Sequence, residues 1–225
     1  MCKSQNTFFR AFTLIELLVV ISIIAVMAGG VGLLLKDNNP GSALRSSQAT
    51  LLGILASARG QAALNQTDAM VIVQADTAGD NYLRSIRVVV ETSSGSNTWK
   101  EVGGEVILPV GVYVVPSLSN LTGCTLDDTA KLSTFFETTT GVVSGVNVNT
   151  TSGLKTNLQF LRSRKLSSLG SMSNSTGGSI LIAAGQLLSA SAVKIDNTAA
   201  VRGVVVSKYG VPSMVGESDS FDKLK

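Results

Sequence analysis

Glu16 is the only charged residue in an apolar run that covers residues 12–35, and its position asks for chemistry. An ionised carboxylate held in lipid costs roughly 2.5 to more than 10 kcal/mol, so this one needs a partner cation. The rest of the reactive inventory is thin. No His occurs among the 225 residues, which removes Ser–His and Cys–His nucleophile pairs and the commonest metal ligand. No constellation for catalysis remains, and neither a cofactor nor a metal is expected. Of the two cysteines, Cys2 follows Met1 directly with no apolar segment before it, unlike a lipidated cysteine, and Cys124 lies far along the chain. If the first residues are removed, Cys124 has no intramolecular disulfide partner and is expected as a small buried hydrophobe or an idle thiol. Arg162-Ser163-Arg164-Lys165, with Lys155 nearby, is the one local basic cluster. It could contact a nucleic-acid backbone through Arg162, Arg164 and Lys165, or be a solvated loop, which is the plainer reading. Glu217, Asp219 and Asp222 near the end lack a Gly-bearing ligand loop and read as a solvated tail.

The element that must position Glu16 is a helix. Residues 12–35 at about 1.5 Å each make roughly 36 Å, enough to cross a hydrocarbon core of about 30 Å with some tilt. Lys3 and Arg10 precede the run, whereas Lys36 and Asp37 cancel just after it. This asymmetry places the N-terminus in the cytoplasm and the bulk of the chain outside it. Gly29, Gly30 and Gly32 weaken the outer end of the helix by about 0.5 to 1 kcal/mol each relative to Ala. Two ordinary readings stand beside a retained membrane helix with a special role for Glu16. A secretory signal ending at Val26-Met27-Ala28 would release a chain starting at Gly29. A plain single-pass anchor would let Glu16 snorkel to the cytoplasmic interface.

The string Arg10-Ala11-Phe12-Thr13-Leu14-Ile15-Glu16-Leu17-Leu18-Val19-Val20-Ile21 resembles the N-terminus of type IV pilins and of the pseudopilins of type II secretion. The resemblance covers about the first 35 residues. It implies that a prepilin peptidase cuts between Ala11 and Phe12 on the cytoplasmic side and methylates the new Phe12 amine. It also implies that Phe12, Thr13 and Glu16 serve filament assembly, with Glu16 neutralising the Phe12 amine of an adjoining subunit. The family carries Gly before the cut where this chain has Ala11. The implied partners are the peptidase, other pilins or pseudopilins in a helical filament, and inner-membrane lipid before assembly. Loss of residues 1–11 would remove Lys3 and Arg10, leaving 16 basic against 15 acidic residues and a net charge of +1 in place of +3. So even a balance argues against nucleic acid as the main partner.

Beyond the apolar run, Asp37-Asn38-Asn39-Pro40-Gly41 breaks or kinks the helix. A second helical pattern runs from a candidate N-cap at Ser42 to about Asn65. Leu44, Leu51, Leu55, Ala58 and Ala62 share one face, and Ser46, Thr50, Gly53, Ser57 and Gly60 the other. The first face needs a core, and the small face would let another helix approach closely. The chain therefore divides into a leader over 1–11, a membrane or filament-core helix over 12–35, an amphipathic helix over 36–66 that continues a stalk, and a β-rich domain over 67–225.

Strand patterns are expected at 69–74, 83–91, 105–115, 157–161, 178–183, 201–207 and 211–215. Ile86, Val88 and Val90 share a face, which fits a sheet covered on one side by the amphipathic helix. Pro109 and Gly111 mark a bend or an edge, Lys208-Tyr209-Gly210 reads as a hairpin turn, and residues 141–178, rich in Ser, Asn, Thr and Gly, are expected to contain long exposed loops around the strand at 157–161. No internal repeat is evident.

Ala58-Arg59-Gly60-Gln61-Ala62-Ala63, Met70-Val71-Ile72-Val73, Ile107-Leu108-Pro109-Val110-Gly111-Val112 and Arg202-Gly203-Val204-Val205-Val206 with Gly210 resemble, in that order, the H-type minor pseudopilins and the related FimT-type minor pilins. This implies an α+β fold in which the long N-terminal helix packs on a mostly antiparallel β domain of two small sheets. It implies either a minor pseudopilin, a structural subunit of the type II secretion pseudopilus, or a FimT-like minor pilin of a type IV pilus acting in DNA uptake. The major pseudopilin is a poorer match, because its helix and calcium-binding loop have no clear counterpart.

Overall fold

In a computed structural model of the chain, the described residues are 14–34, 40–76, 81–116, 134–150, 153–173, 177–189, 192–195 and 201–215. The chain forms two compact units, Met1–Asn39 and Pro40–Lys225. The first contains the helix α1, Leu14–Leu34. The second opens with α2, Pro40–Asn65. Pro40 stands at the first helical position, where its missing N–H is no loss and its fixed φ already suits a helix. The expected N-cap, Ser42, therefore lies inside α2 rather than ahead of it, because the proline starts the helix two residues earlier.

The face of α2 carrying Leu44, Leu51, Leu55, Ala58 and Ala62 is buried, while Ser46, Gly53, Ser57 and Gly60 are exposed and Thr50 half-buried. The 3.6-residue period thus sorts the helix as its pattern predicts. Among the described residues twelve strands follow. They are β1 Ala69–Gln74, β2 Ser85–Glu91, β3 Trp99–Ile107, β4 Val112–Val115, β5 Phe136–Val142 and β6 Val148–Thr150, then β7 Gly153–Lys155, β8 Gln159–Ser163, β9 Gly178–Ser189, β10 Ala192–Ile195, β11 Val201–Val206 and β12 Pro212–Val215. One sheet has the order β3-β2-β1-β8-β5. A second has β10-β9-β11-β12 with β4 also on β9, and β6 and β7 form a small ribbon. Every pairing between these strands is antiparallel. The α+β architecture with two antiparallel sheets is as the resemblance implies.

The main core lies where α2 meets both sheets, and it joins Leu44, Leu51 and Leu55 to Val71, Val73, Ile86, Ile182 and Val204. Gln48 ties the layers together, its buried amide donating to the carbonyls of Gly203 and Val215 at 2.7 Å each. A second core covers the opposite face of the first sheet. There Met70, Ile72, Val89 and Phe160 pack with Trp99, Val143, Val146 and Leu158. α2 covers one face of the first sheet as expected, and the other face is covered as well. Part of that cover, Val143, Val146 and Leu158, comes from the stretch expected to contain long exposed loops, which also supplies β6, β7 and, at the expected strand, β8. The physical sign was present in β1, where Ala69–Val73 is an unbroken apolar run, and every residue of β1 and β2 is buried even though Arg87 interrupts the apolar pattern of β2.

The single strand expected over 105–115 is two. β3 ends at Ile107, the Pro109–Gly111 turn reverses the path with Gly111 at φ 86°, and β4 joins the other sheet on β9. β3 begins earlier than expected, at Trp99, and carries a bulge. Ile86 faces Val106 and Val88 faces Val102, so one residue of β2 opposes three of β3. Gly103 and Gly104 take the positive φ values this requires. Arg87, the residue opposite the bulge, is buried and bridges it, with ion pairs to Glu101 at 2.8 Å and Glu105 at 3.0 Å. β9 is twice its expected length, and β10 folds back on it.

Candidate functional site

Glu16 lies in the first turn of α1, where the helix dipole favours a negative charge. Around it Leu14, Ile15, Leu17, Leu18, Val19, Val20, Ile21, Ile23 and Ile24 are all exposed. A helix packed on a core shows one apolar stripe, whereas this one is apolar on every side, as a helix surrounded by lipid or by other helices must be. Its hydroxyl is internally satisfied: Ser22 Oγ donates to the carbonyls of Leu18 at 2.8 Å and Val19 at 2.9 Å. Among the described residues no helix is long and apolar enough to cross a membrane. The described side chains of α1 run from residue 14 to 25, about 18 Å of helix. Ala11, Phe12 and Thr13 lie outside the described residues, as do Cys2 and Cys124.

The basic residues sit together on and after β8, but each has its own partner. Arg162 pairs with Glu137 at 2.8 Å across the β5–β8 edge. Arg164 is exposed, and its Nε donates to the Thr134 carbonyl at 3.4 Å. Lys165 lies 3.8 Å from Asp68 and 3.9 Å from Glu91, with its ammonium 5.1 Å from the Trp99 ring centroid. A phosphate backbone approaching this surface would meet Glu137 and Asp68 as well as the cations.

Glu91, which the sequence did not single out, explains part of this arrangement. Its buried carboxylate accepts from the backbone N–H of Asn97 at 2.8 Å and of Gly95 at 3.1 Å, closing the β2–β3 turn. Burial pushes its carboxyl up, but these two donors and the Lys165 charge outweigh that and hold it below the ordinary carboxylate range. Burial alone raises the Tyr82 hydroxyl. The small face of α2 forms one wall of a groove of about 290 Å³, with Gly53 and Ser57 on one side and Val102, Gly103 and Gly104 on the other. Nothing titratable lines it. Among the described residues no group of three or more acidic or cysteine side chains could hold a metal ion.

Residues 8–32 match the prokaryotic N-terminal methylation motif. No curated protein and no solved structure matches the chain. The matched stretch begins before the Ala11–Phe12 junction and extends through most of α1, so junction, Glu16 and apolar helix fall inside one processing and methylation signal.

Proposed function

We propose that this chain is a minor pseudopilin, a structural subunit of a type II secretion pseudopilus. In this reading a prepilin peptidase cuts between Ala11 and Phe12 and methylates the Phe12 amine. The processed chain sits in the inner membrane through residues 12–35 with its β domain in the periplasm. Assembly then moves the apolar helix from lipid into the filament. Glu16 makes that transfer selective, because its carboxylate is costly in lipid and is neutralised by the Phe12 ammonium of an adjoining subunit, with Thr13 beside it.

The observation that carries this is the methylation motif over residues 8–32, joined to a helix apolar on every side with an acid in its first turn. The ion pairs of Arg162 and Lys165 favour this structural role over DNA uptake by a FimT-like minor pilin. Mass spectrometry of the N-terminus from cells is the test. A chain beginning with N-methylated Phe12 is expected. A start at Met1 or Gly29 would overturn the proposal.

A further inference from the structure

Two adjoining tips of the second unit expose aliphatic side chains that no core element among the described residues covers. One is the β3–β4 turn, where Val110 is 84% exposed and Ile107 47%. The other is the far end of β9, where Leu187 and Leu188 are 48% and 58% exposed. The tips touch: the N–H of Gly185 donates to the Gly111 carbonyl at 2.9 Å, continuing the register in which Val112 faces Ala184. Lys194, on β10 opposite Gln186, is exposed beside them.

The end of the unit on which these tips lie follows from the packing of α2. Gln48 bonds to Gly203, which is in register with Leu181 of β9. Eleven residues further along α2, Arg59 lies against Gly170, whose carbonyl approaches Gly210 in the turn after β11. That turn is at the Val206–Gly178 end of the sheet. Moving toward the start of α2 is therefore moving toward higher numbers on β9. At helix and strand rises of about 1.5 and 3.3 Å, Pro40 is level with about Gly185, and Leu187 and Leu188 reach beyond it. The apolar tips and the entry of the chain share one end.

Five residues separate Leu34 from Pro40, a link that reaches at most about 22 Å. Given the membrane helix of the proposed function, on which this inference rests, the end of the unit bearing Pro40 cannot leave the outer headgroup layer by more than that. We propose that the Val110 turn and the Leu187–Leu188 tip insert into the interfacial layer of the membrane, so that the unassembled subunit lies against the bilayer it is anchored in. Aliphatic side chains suit the acyl boundary, and Lys194 beside them suits anionic headgroups. Joining a filament must then release a second, weaker lipid contact besides the helix.

The test uses the full chain with Cys2→Ser and Cys124→Ser, reconstituted in vesicles of phosphatidylethanolamine and phosphatidylglycerol. Single Val110→Cys, Leu188→Cys, Leu169→Cys and Ile21→Cys variants carry an environment-sensitive fluorophore, and nitroxide-labelled lipids serve as shallow and deep quenchers. Leu169 is 88% exposed at the opposite end of the unit. The expected result is a blue shift and loss of emission with the shallow quencher at 110 and 188, loss with the deep quencher at 21, and neither at 169. Quenching at 21 with positions 110 and 188 behaving like 169 would overturn the inference and leave the anchor standing. No quenching at 21 would remove the anchor and the inference with it. A blue shift at 110 and 188 that ignores the lipid quenchers and grows with protein density would overturn it in favour of a contact with another protein chain.

Discussion

Glu91 is a buried carboxylate, and Glu16 becomes one that lipid disfavours under the proposed function; they differ in what answers them. Glu91 is answered within its own chain by two backbone donors and Lys165. Its folded-state pKa is depressed, so the stability it contributes is present above the unfolded value and is lost as the pH falls through the lower folded value. Glu91→Gln is expected to cost about 1.5 to 3 kcal/mol near neutral pH and to flatten the acid limb of the stability profile. Urea midpoints measured across the acid range check both. For Glu16 the proposed answer comes from a neighbouring subunit. Glu16→Leu is accordingly expected to remain in the membrane fraction and to vanish from sheared filaments. Normal incorporation would show that the charge pair does not drive assembly. At the basic cluster, Arg162 and Lys165 are held by acids, so no salt-sensitive DNA shift is expected. A shift lost on replacing Arg162, Arg164 and Lys165 together would favour DNA uptake instead.

At the scale of elements, the first sheet is a middle layer. α2 covers one face, and Val143, Val146 and Leu158 help cover the other. Leu158→Ala is expected to cost about 2 to 5 kcal/mol, as in a packed core, where an exposed loop position would change stability by less than about 0.5 kcal/mol. Thermal unfolding distinguishes the two. The same cover depends on Gly145, which has φ 91° and whose added Cβ would stand 2.3 Å from the Trp99 carbonyl oxygen. Gly104 has a similar φ of 80° with open space around it. Gly145→Ala should therefore destabilise more than Gly104→Ala, since one meets backbone as well as conformational strain and the other strain alone. Equal losses would mean that the loop does not lie on Trp99.

For the whole molecule, among the described residues, every member of the buried apolar clusters lies between 44 and 215, within the second unit. A chain truncated before Pro40 is therefore expected to stay soluble and to unfold cooperatively, at a midpoint close to that of the full chain in detergent. Calorimetry of both checks this, and a molten, aggregating fragment would show that the core needs more than the second unit supplies.

The division of labour between sequence and tertiary structure is visible in particular segments. Local features were legible: the acid in an apolar run, the two faces of α2, and strands such as β1 and β11. Each depends on neighbours within a few residues, through helical or strand period and turn chemistry. The basic cluster was equally visible as a string, but its acidic partners Glu137, Asp68 and Glu91 are brought in from other strands. The second core also stayed hidden. Val143 and Val146 lie in a stretch rich in Ser, Asn and Gly, and the pairing of β8 with β1 and β5 is what brings them and Leu158 over Met70 and Phe160. Likewise Pro109 and Gly111 announced a bend, but which sheet β4 would join depended on β9, some seventy residues away. Sequence period reports which side chains avoid water. Folding contacts between distant segments decide what covers them.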